Sequence, residues 1–274
     1  MQIVLVTGAN GGFGRLTCIE LIESGFHVIA TMRNIENGKD LAAQVEHLGL
    51  SERLTVLQMD VTKIAEIEKA KGIVEEKFGK LDILINNAGY CQGGFIEDLT
   101  LEEWETQLGT NVTGTFSVIK TFLPILESAG HAHIINISSV SGYFGFPGMS
   151  PYCSSKFALE GMSESLRLEL LPRNIHVSLV EPASYQTKIW EKGLENIKIE
   201  ETDSSYKKQV YKYAKNAEEH GSDPVEVAKL VVKICKMDRP RFRYPIGKGA
   251  KSLSILKRIM PWGVIEFVVM KKLT

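Results

Sequence analysis

Along the first 180 residues, short runs of β-branched and aliphatic side chains alternate with longer stretches whose apolar residues recur every three to four positions. Ile3 to Thr7, Val28 to Met32, Leu54 to Val61, Ile83 to Ile85, Ile134 to Ile137 and Val177 to Val180 are nearly continuous apolar runs. A parallel strand covered on both faces needs that pattern, since neither face meets water. The stretches between them, 13–24, 36–48, 63–78, 102–127 and 152–171, are amphipathic at helical period and long enough for right-handed crossovers. The alternation predicts an α/β fold with one doubly wound parallel sheet. Gly79-Lys80 and Gly130-His131 close helices ahead of strands, and Pro172 and Asn174 end the helix before the sixth strand.

Beyond Pro182 the pattern changes. Residues 183–222 are rich in Lys, Glu, Tyr and Ser with no clear strand, and read as an insertion over the sheet edge, a substrate lid. Asp223-Pro224 then opens a helix with an acidic N-cap and a proline at its first position. Phe242 to Ile246 fits a last strand. Nothing resembles an interdomain linker, so residues 1–274 are expected to form a single dinucleotide-binding and catalytic domain, with the lid at 183–222 and a basic, apolar tail at 241–274.

Composition adds little until the tail is considered. Lys plus Arg number 32 against 33 Asp plus Glu, which gives no reason to expect a nucleic-acid partner. From Arg241 onward, however, eight basic residues stand against Glu266 alone. Lys251, Lys257, Arg258, Lys271 and Lys272 surround an apolar run that includes Ile255, Ile259, Trp262, Phe267 and Met270. Pro261 interrupts it, and the apolar stretch is too short to span a bilayer. The favoured reading is a segment packed on the pocket or on another subunit, with membrane-surface contact as the less favoured alternative. Cys18, Cys91, Cys153 and Cys235 include no C-x-x-C pair, so reduced thiols, a cytoplasmic location and no metal site are expected.

The first strand runs directly into Thr7-Gly8-Ala9-Asn10-Gly11-Gly12-Phe13-Gly14, ahead of a helix. Glycines at such a turn let the backbone approach a pyrophosphate, whose charge then sits on the helix N-terminus. Glycines 8, 12 and 14 and glycines 8, 11 and 14 both form usable spacings, so the turn alone leaves two variants open. Tyr152 and Lys156 stand four apart in a helical stretch and share a face, with Ser150 an expected N-cap and Pro151 the first helical residue. A phenol titrates near 10, so work near neutrality needs a shift of about three units, which an ammonium about 4 Å away supplies.

With Asp60-Val61 after strand three, Asn86-Asn87-Ala88-Gly89 after strand four, Asn111, Ser139, and the Tyr152–Lys156 spacing, the chain resembles the short-chain dehydrogenase/reductase family. The resemblance implies a Rossmann-type fold and settles the turn as the shorter T-G-x-x-x-G-x-G form. It implies catalytic roles for Asn111, Ser139, Tyr152 and Lys156: Tyr152 as proton donor to a carbonyl oxygen, Ser139 as its hydrogen-bonding partner, Lys156 on the nicotinamide ribose, and Asn111 behind a water that links Lys156 to solvent. Cofactor contacts are implied for Thr7, Gly8, Gly12, Phe13, Gly14, Asp60, Val61, Asn87, Ala88, Gly89, Pro182 and Thr187, besides Tyr152 and Lys156. Pro182-Ala183 departs from the family's usual Pro-Gly. A homodimer or homotetramer is implied as well.

Strand two ends Ala30-Thr31-Met32-Arg33-Asn34 without the carboxylate that binds a ribose 2′-hydroxyl, while Arg33 suits a 2′-phosphate with Asn34 beside it. NADP is therefore expected over NAD. Tyr90, Cys91, Phe95, Tyr143, Phe144, Phe146, Met149, Tyr185 and Trp190 would border the nicotinamide, which favours a small apolar carbonyl or alcohol as substrate. Cys153 reads as a packing residue. The expected function is interconversion of an apolar ketone or aldehyde with its alcohol by hydride transfer. A non-catalytic dinucleotide sensor of the same fold is the alternative, weakened by the presence of both Tyr152 and Lys156.

Overall fold

Ile3–Thr7 (β1), His27–Met32 (β2), Leu54–Gln58 (β3), Ile83–Asn86 (β4), Ala132–Ile137 (β5), Ile175–Pro182 (β6) and Arg243–Ile246 (β7) form one sheet in the order β3-β2-β1-β4-β5-β6-β7. Every neighbouring pair is parallel. The computed structural model describes residues 1–187, 193, 197, 199–200 and 203–273. All residues of β1, β2, β4, β5 and β6 are buried, which is why their sequences are apolar throughout rather than alternating.

Alternation survives as a division between two cores. Val4 and Val6 of β1 face Cys18, Leu21 and Ile22 of Gly12–Glu23 (α1), with Leu41 and Val45 of Lys39–His47 (α2) in the same cluster. Ile3 and Leu5 face the other way, onto Ile67, Ala70 and Val74 of Ile64–Phe78 (α3). Because strand order reverses between β1 and β4, the loops at their C-terminal ends diverge to opposite faces and leave a crevice there.

The stretch expected as one helix over 102–127 is instead Leu101–Leu108 (α4), a π-helical turn at Gly109–Gly114, and Thr115–Glu127 (α5). Thr100 and Glu103 form a reciprocal capping box that starts α4. Ser150–Leu170 (α6) carries Tyr152 in its first turn as expected, but Met149 occupies the cap position and Ser150 is already helical. Strand three stops at Gln58, short of the Val61 expected from the apolar pattern.

The polar segment after β6 is not wholly irregular. It contains Ser205–Glu219 (α7), whose Tyr206, Val210 and Ala214 pack toward Phe95. Residues 188–192, 194–196, 198 and 201–202 of the expected lid lie outside the described residues. Val225–Cys235 (α8) follows Pro224, and the Asp223 carboxylate accepts the Val225 N–H at 2.9 Å, so the acidic cap is real although shifted by one residue. The tail forms two helices, Ala250–Ile259 (α9) and Trp262–Leu273 (α10), separated at Pro261. Arg243 of β7 is held by Glu160 of α6, by Glu181 of β6 at 2.9 Å and by Glu164 at 3.2 Å, which ties the last strand to the helix carrying Tyr152.

Candidate active site

The crevice is a cleft of about 650 Å³ at the C-terminal edge of β1, β4 and β5. Its floor is the turn after β1. Gly8 at φ +63° and Gly12 at φ +50° adopt backbone that side-chain-bearing residues rarely tolerate. The Thr7 hydroxyl accepts the N–H groups of Asn87 at 3.0 Å and Ala88 at 2.9 Å. In return, the Asn87 amide donates to the carbonyls of Thr7 at 2.9 Å and Gly8 at 3.0 Å. Thr7 and Asn87 thus lock the glycine turn to the loop after β4, and Gly8, Gly12, Phe13, Asn87, Ala88 and Gly89 line the cleft itself.

Gly14 lies behind that wall. A Cβ there would fall 2.4 Å from the Gly8 carbonyl oxygen and 2.5 Å from the Asn87 amide nitrogen. Gly14→Ala is therefore expected to force the turn apart and destabilise the protein by about 1 to 3 kcal/mol, read as a lower thermal midpoint. An unchanged midpoint would show that the turn has slack these distances do not allow.

The opposite wall comes from β5 and α6. Tyr152 and Lys156 share the buried face of α6, with the Lys156 ammonium 5.6 Å from the centre of the Tyr152 ring. Lys156 Nζ donates to the Ile137 carbonyl at 2.8 Å. Ser139, just past β5, accepts the Ser141 N–H at 3.1 Å and lies beside the phenol, near the Pro182 carbonyl. Burial raises the Tyr152 phenol above its ordinary value, Cys91 adds to the rise, and Ser139 pulls it down. Burial also lowers Lys156 to about 8, with Cys91 acting in the opposite sense. The expected lowering of the phenol by an adjacent ammonium is thus outweighed in the free protein by the burial of the phenol itself.

Asn111 sits in the π-helical turn and does not line the cleft. Its amide donates to the Tyr90 carbonyl and to Ser155 Oγ, each at 3.0 Å, and its oxygen accepts the Tyr90 N–H at 3.2 Å. The side chain braces the loop after β4 against α6, and a π turn is the local geometry that aims it there. On the other side of the crevice, Pro182 and Thr187 line the cleft, and Thr187 Oγ1 is buried without a hydrogen-bond partner among the described residues. An orphaned hydroxyl at this place fits a ligand amide, and the close-packed glycine turn fits a pyrophosphate, so the residues present suit a nicotinamide dinucleotide.

At the far end, Arg33, Asn34, Asp60 and Val61 all line the cleft. Arg33 is exposed and enters no ion pair among the described residues. Asn34 caps the short turn at Ile35–Gly38, accepting the Glu36 N–H at 3.0 Å, and Asp60 is held by Thr62 at 2.8 Å. Asn37 and Asp40 also reach this end, which the sequence does not signal because a single 3₁₀ turn before α2 brings them round.

The aromatic and sulfur residues divide. Cys91, Met149, Tyr152, Cys153 and Phe146 form one cluster, and Tyr90 lines the cleft. Cys153 is buried and accepts the Phe146 N–H through sulfur, as a packing residue should. Phe95 belongs instead to the cluster under α7. Tyr185, although it borders the cleft, is a core residue: only 1% exposed, edge-on to Phe13 at 5.5 Å, and bonded to Glu226 at 3.2 Å. Tyr143 is turned toward the tail, donating to the Ala250 carbonyl at 3.1 Å. Trp190 lies outside the described residues.

Comparison with known proteins gives consistent results. The model of the short chain dehydrogenase family matches residues 2–198. The chain is 44% identical over 278 residues to an uncharacterized oxidoreductase, YusZ, of Bacillus subtilis, covering 99% of this chain and 98% of that one. It is 34% identical to a 3-ketodihydrosphingosine reductase of Bacteroides thetaiotaomicron, over 90% and 88% of the two chains. Among solved structures, a short-chain dehydrogenase from Streptomyces avermitilis superposes with a TM-score of 0.82 at 29% identity over 97% of both chains. An actinorhodin polyketide ketoreductase with NADPH does so at 0.77 and 27% identity, over 91% and 97%. Sheet order, glycine turn, buried tyrosine–lysine pair and these matches agree: the chain belongs to the short-chain dehydrogenase/reductase family of oxidoreductases.

Proposed function

We propose that the protein interconverts an apolar ketone or aldehyde with its alcohol, using NADP. The observation that carries this reading is the buried Tyr152–Lys156 pair with Ser139, set across one cleft from the glycine turn and the orphaned Thr187 hydroxyl. A bound nicotinamide dinucleotide supplies or accepts the hydride. Tyr152, protonated because it is buried, donates its phenolic proton to the carbonyl oxygen in reduction, and Ser139 hydrogen-bonds that oxygen. Lys156, its ammonium 5.6 Å from the centre of the Tyr152 ring, would hold the nicotinamide ribose and act on the phenol as charge develops. Asn111 acts as a positioning residue by holding the Tyr90 loop and α6 in register. Thr187 offers its hydroxyl to the carboxamide, and Gly8, Gly12, Phe13 and Gly14 shape the pyrophosphate seat.

The apolar character of the substrate is supported by the Cys91, Phe146, Met149 and Cys153 cluster around Tyr152. The relative named for reduction of 3-ketodihydrosphingosine is in keeping with it. Turnover of hydrophobic ketones and aldehydes, followed by NADPH absorbance, tests the reading; binding of NADPH without oxidation by any of them would favour a sensor instead.

Preference for NADP rests on Arg33, which faces the adenosine end of the cleft with no carboxylate partner among the described residues, while Glu36 is paired with Lys39. Arg33→Asp is expected to move relative kcat/KM toward NADH by about 1 to 3 kcal/mol, since it removes a charged hydrogen-bond donor and supplies a ribose acceptor. An unchanged ratio for the two cofactors would mean that another residue reads the 2′ position.

A further inference from the structure

The two C-terminal helices present an apolar surface that the fold does not use. Helix α10 is apolar along most of its length, with Glu266, Lys271 and Lys272 its charged residues. Ile265, Val269 and Leu273, four residues apart, turn inward, and Val269 and Leu273 pack with Phe95 and Val210. The rest of its surface is in water: Phe267 is 67% exposed, Val264, Val268 and Met270 are exposed too, and Trp262 at the helix start is 59% exposed. Helix α9 continues the surface through Ile255 at 58% and Ile259 at 71% exposure, one turn apart. Packing, the favoured sequence reading, thus accounts for one side of this tail only.

Basic side chains rim the apolar face. Lys251, Arg258, Lys271 and Lys272 are exposed around it, and Lys212 and Lys215 of α7 share a shallow groove with Lys272 and one acid, Glu219. Lys257 sits 4.6 Å over the Trp262 ring and 5.7 Å over Phe144, holding the two helices and the loop after β5 together. Glu266 is the lone acid from residue 241 onward.

We propose that this face seats on an anionic lipid surface, its aromatic and aliphatic side chains entering the acyl boundary and its lysines and arginines meeting the headgroups. A second copy of the chain is a poorer occupant, because a two-fold contact would set these basic residues against themselves with, among the described residues there, only Glu266 and Glu219 from each copy to compensate. Among the described residues no helix is long and apolar enough to cross a membrane, so the face lies on the surface. Tyr143, four residues past Ser139, is bonded to Ala250 at the start of α9, so the seat adjoins the loop that leads from the cleft. The lipid contact does not depend on the reaction proposed above, and its test involves no turnover.

Co-sedimentation of the full chain with phosphatidylcholine vesicles, with and without phosphatidylglycerol, decides it. Binding should require the anionic lipid, fall with added salt, and weaken about tenfold or more in Ile259→Glu/Phe267→Glu and in Lys271→Glu/Lys272→Glu. Should the first variant misfold, quenching by brominated lipid in the parent protein, lost in Trp262→Phe, gives the same answer. No sedimentation with anionic vesicles, or binding indifferent to these substitutions, overturns the proposal. A concentration-dependent dimer abolished by Phe267→Glu, without vesicle binding, overturns it in favour of a second copy.

Discussion

Tyr152→Phe is expected to lower kcat for carbonyl reduction by about two to four orders of magnitude while leaving the dissociation constant for NADPH within about twofold. The ring is almost fully buried among Cys91, Met149, Cys153 and Phe146, and phenylalanine keeps that packing. What disappears is the one hydroxyl whose proton is both poised and retained. Burial holds the phenol above its ordinary value, so the acid form persists through neutral pH and reduction needs no prior protonation. Oxidation of the alcohol requires the opposite state, and its rate should climb toward alkaline pH. Single-turnover rates with a hydrophobic ketone, compared with NADPH titrations of the same preparations, separate chemistry from binding. Residual reduction above about a tenth of the parent rate would remove Tyr152 from the proton path and pass its role to another donor such as Ser139.

Why some of this was readable in the chain and some was not comes down to where each feature gets its energy. A run such as Val4-Leu5-Val6 has to be apolar on both faces once helices cover the sheet, so the strands announce themselves locally. The Tyr152–Lys156 face follows from helical period alone. The π turn at Gly109–Gly114 does not: it is imposed by Asn111 reaching Tyr90 and Ser155, residues 21 and 44 positions away. Helix α7 was hidden for the same reason, since Lys, Glu and Tyr dominate it and its few apolar residues find partners among Phe95, Ile197, Val269 and Leu273. Tyr185 shows the limit from the other side. An aromatic residue near Thr187 reads as a pocket wall until Phe13, Glu226 and Gly247 are seen to enclose it. The direction of the phenol shift is likewise a burial effect, and burial is a property of the assembled fold.

Lys156 shows what the site costs. An ammonium whose pKa falls from 10.5 to about 8 on folding is held charged at pH 7 against a burial penalty of about 3 kcal/mol. The Ile137 carbonyl, at 2.8 Å, offsets only part of it. Lys156→Met keeps most of the volume, removes the charge, and leaves that carbonyl without its donor. The variant is therefore expected to be more stable than the parent at pH 7, by about 1 to 3 kcal/mol, while losing about two or more orders of magnitude in kcat/KM and binding NADPH more weakly. The sign of the pH dependence is specific. Between about pH 8 and 10.5 the unfolded parent still binds a proton that the folded parent has released, so parental stability rises with pH across that window relative to the variant. The gap between the two should narrow there and stay constant below about pH 7. Urea denaturation of both proteins at a series of pH values measures it. A variant less stable than its parent at pH 7, or a gap that ignores the alkaline window, would show that Lys156 sits in a polar environment and that its charge is not under strain.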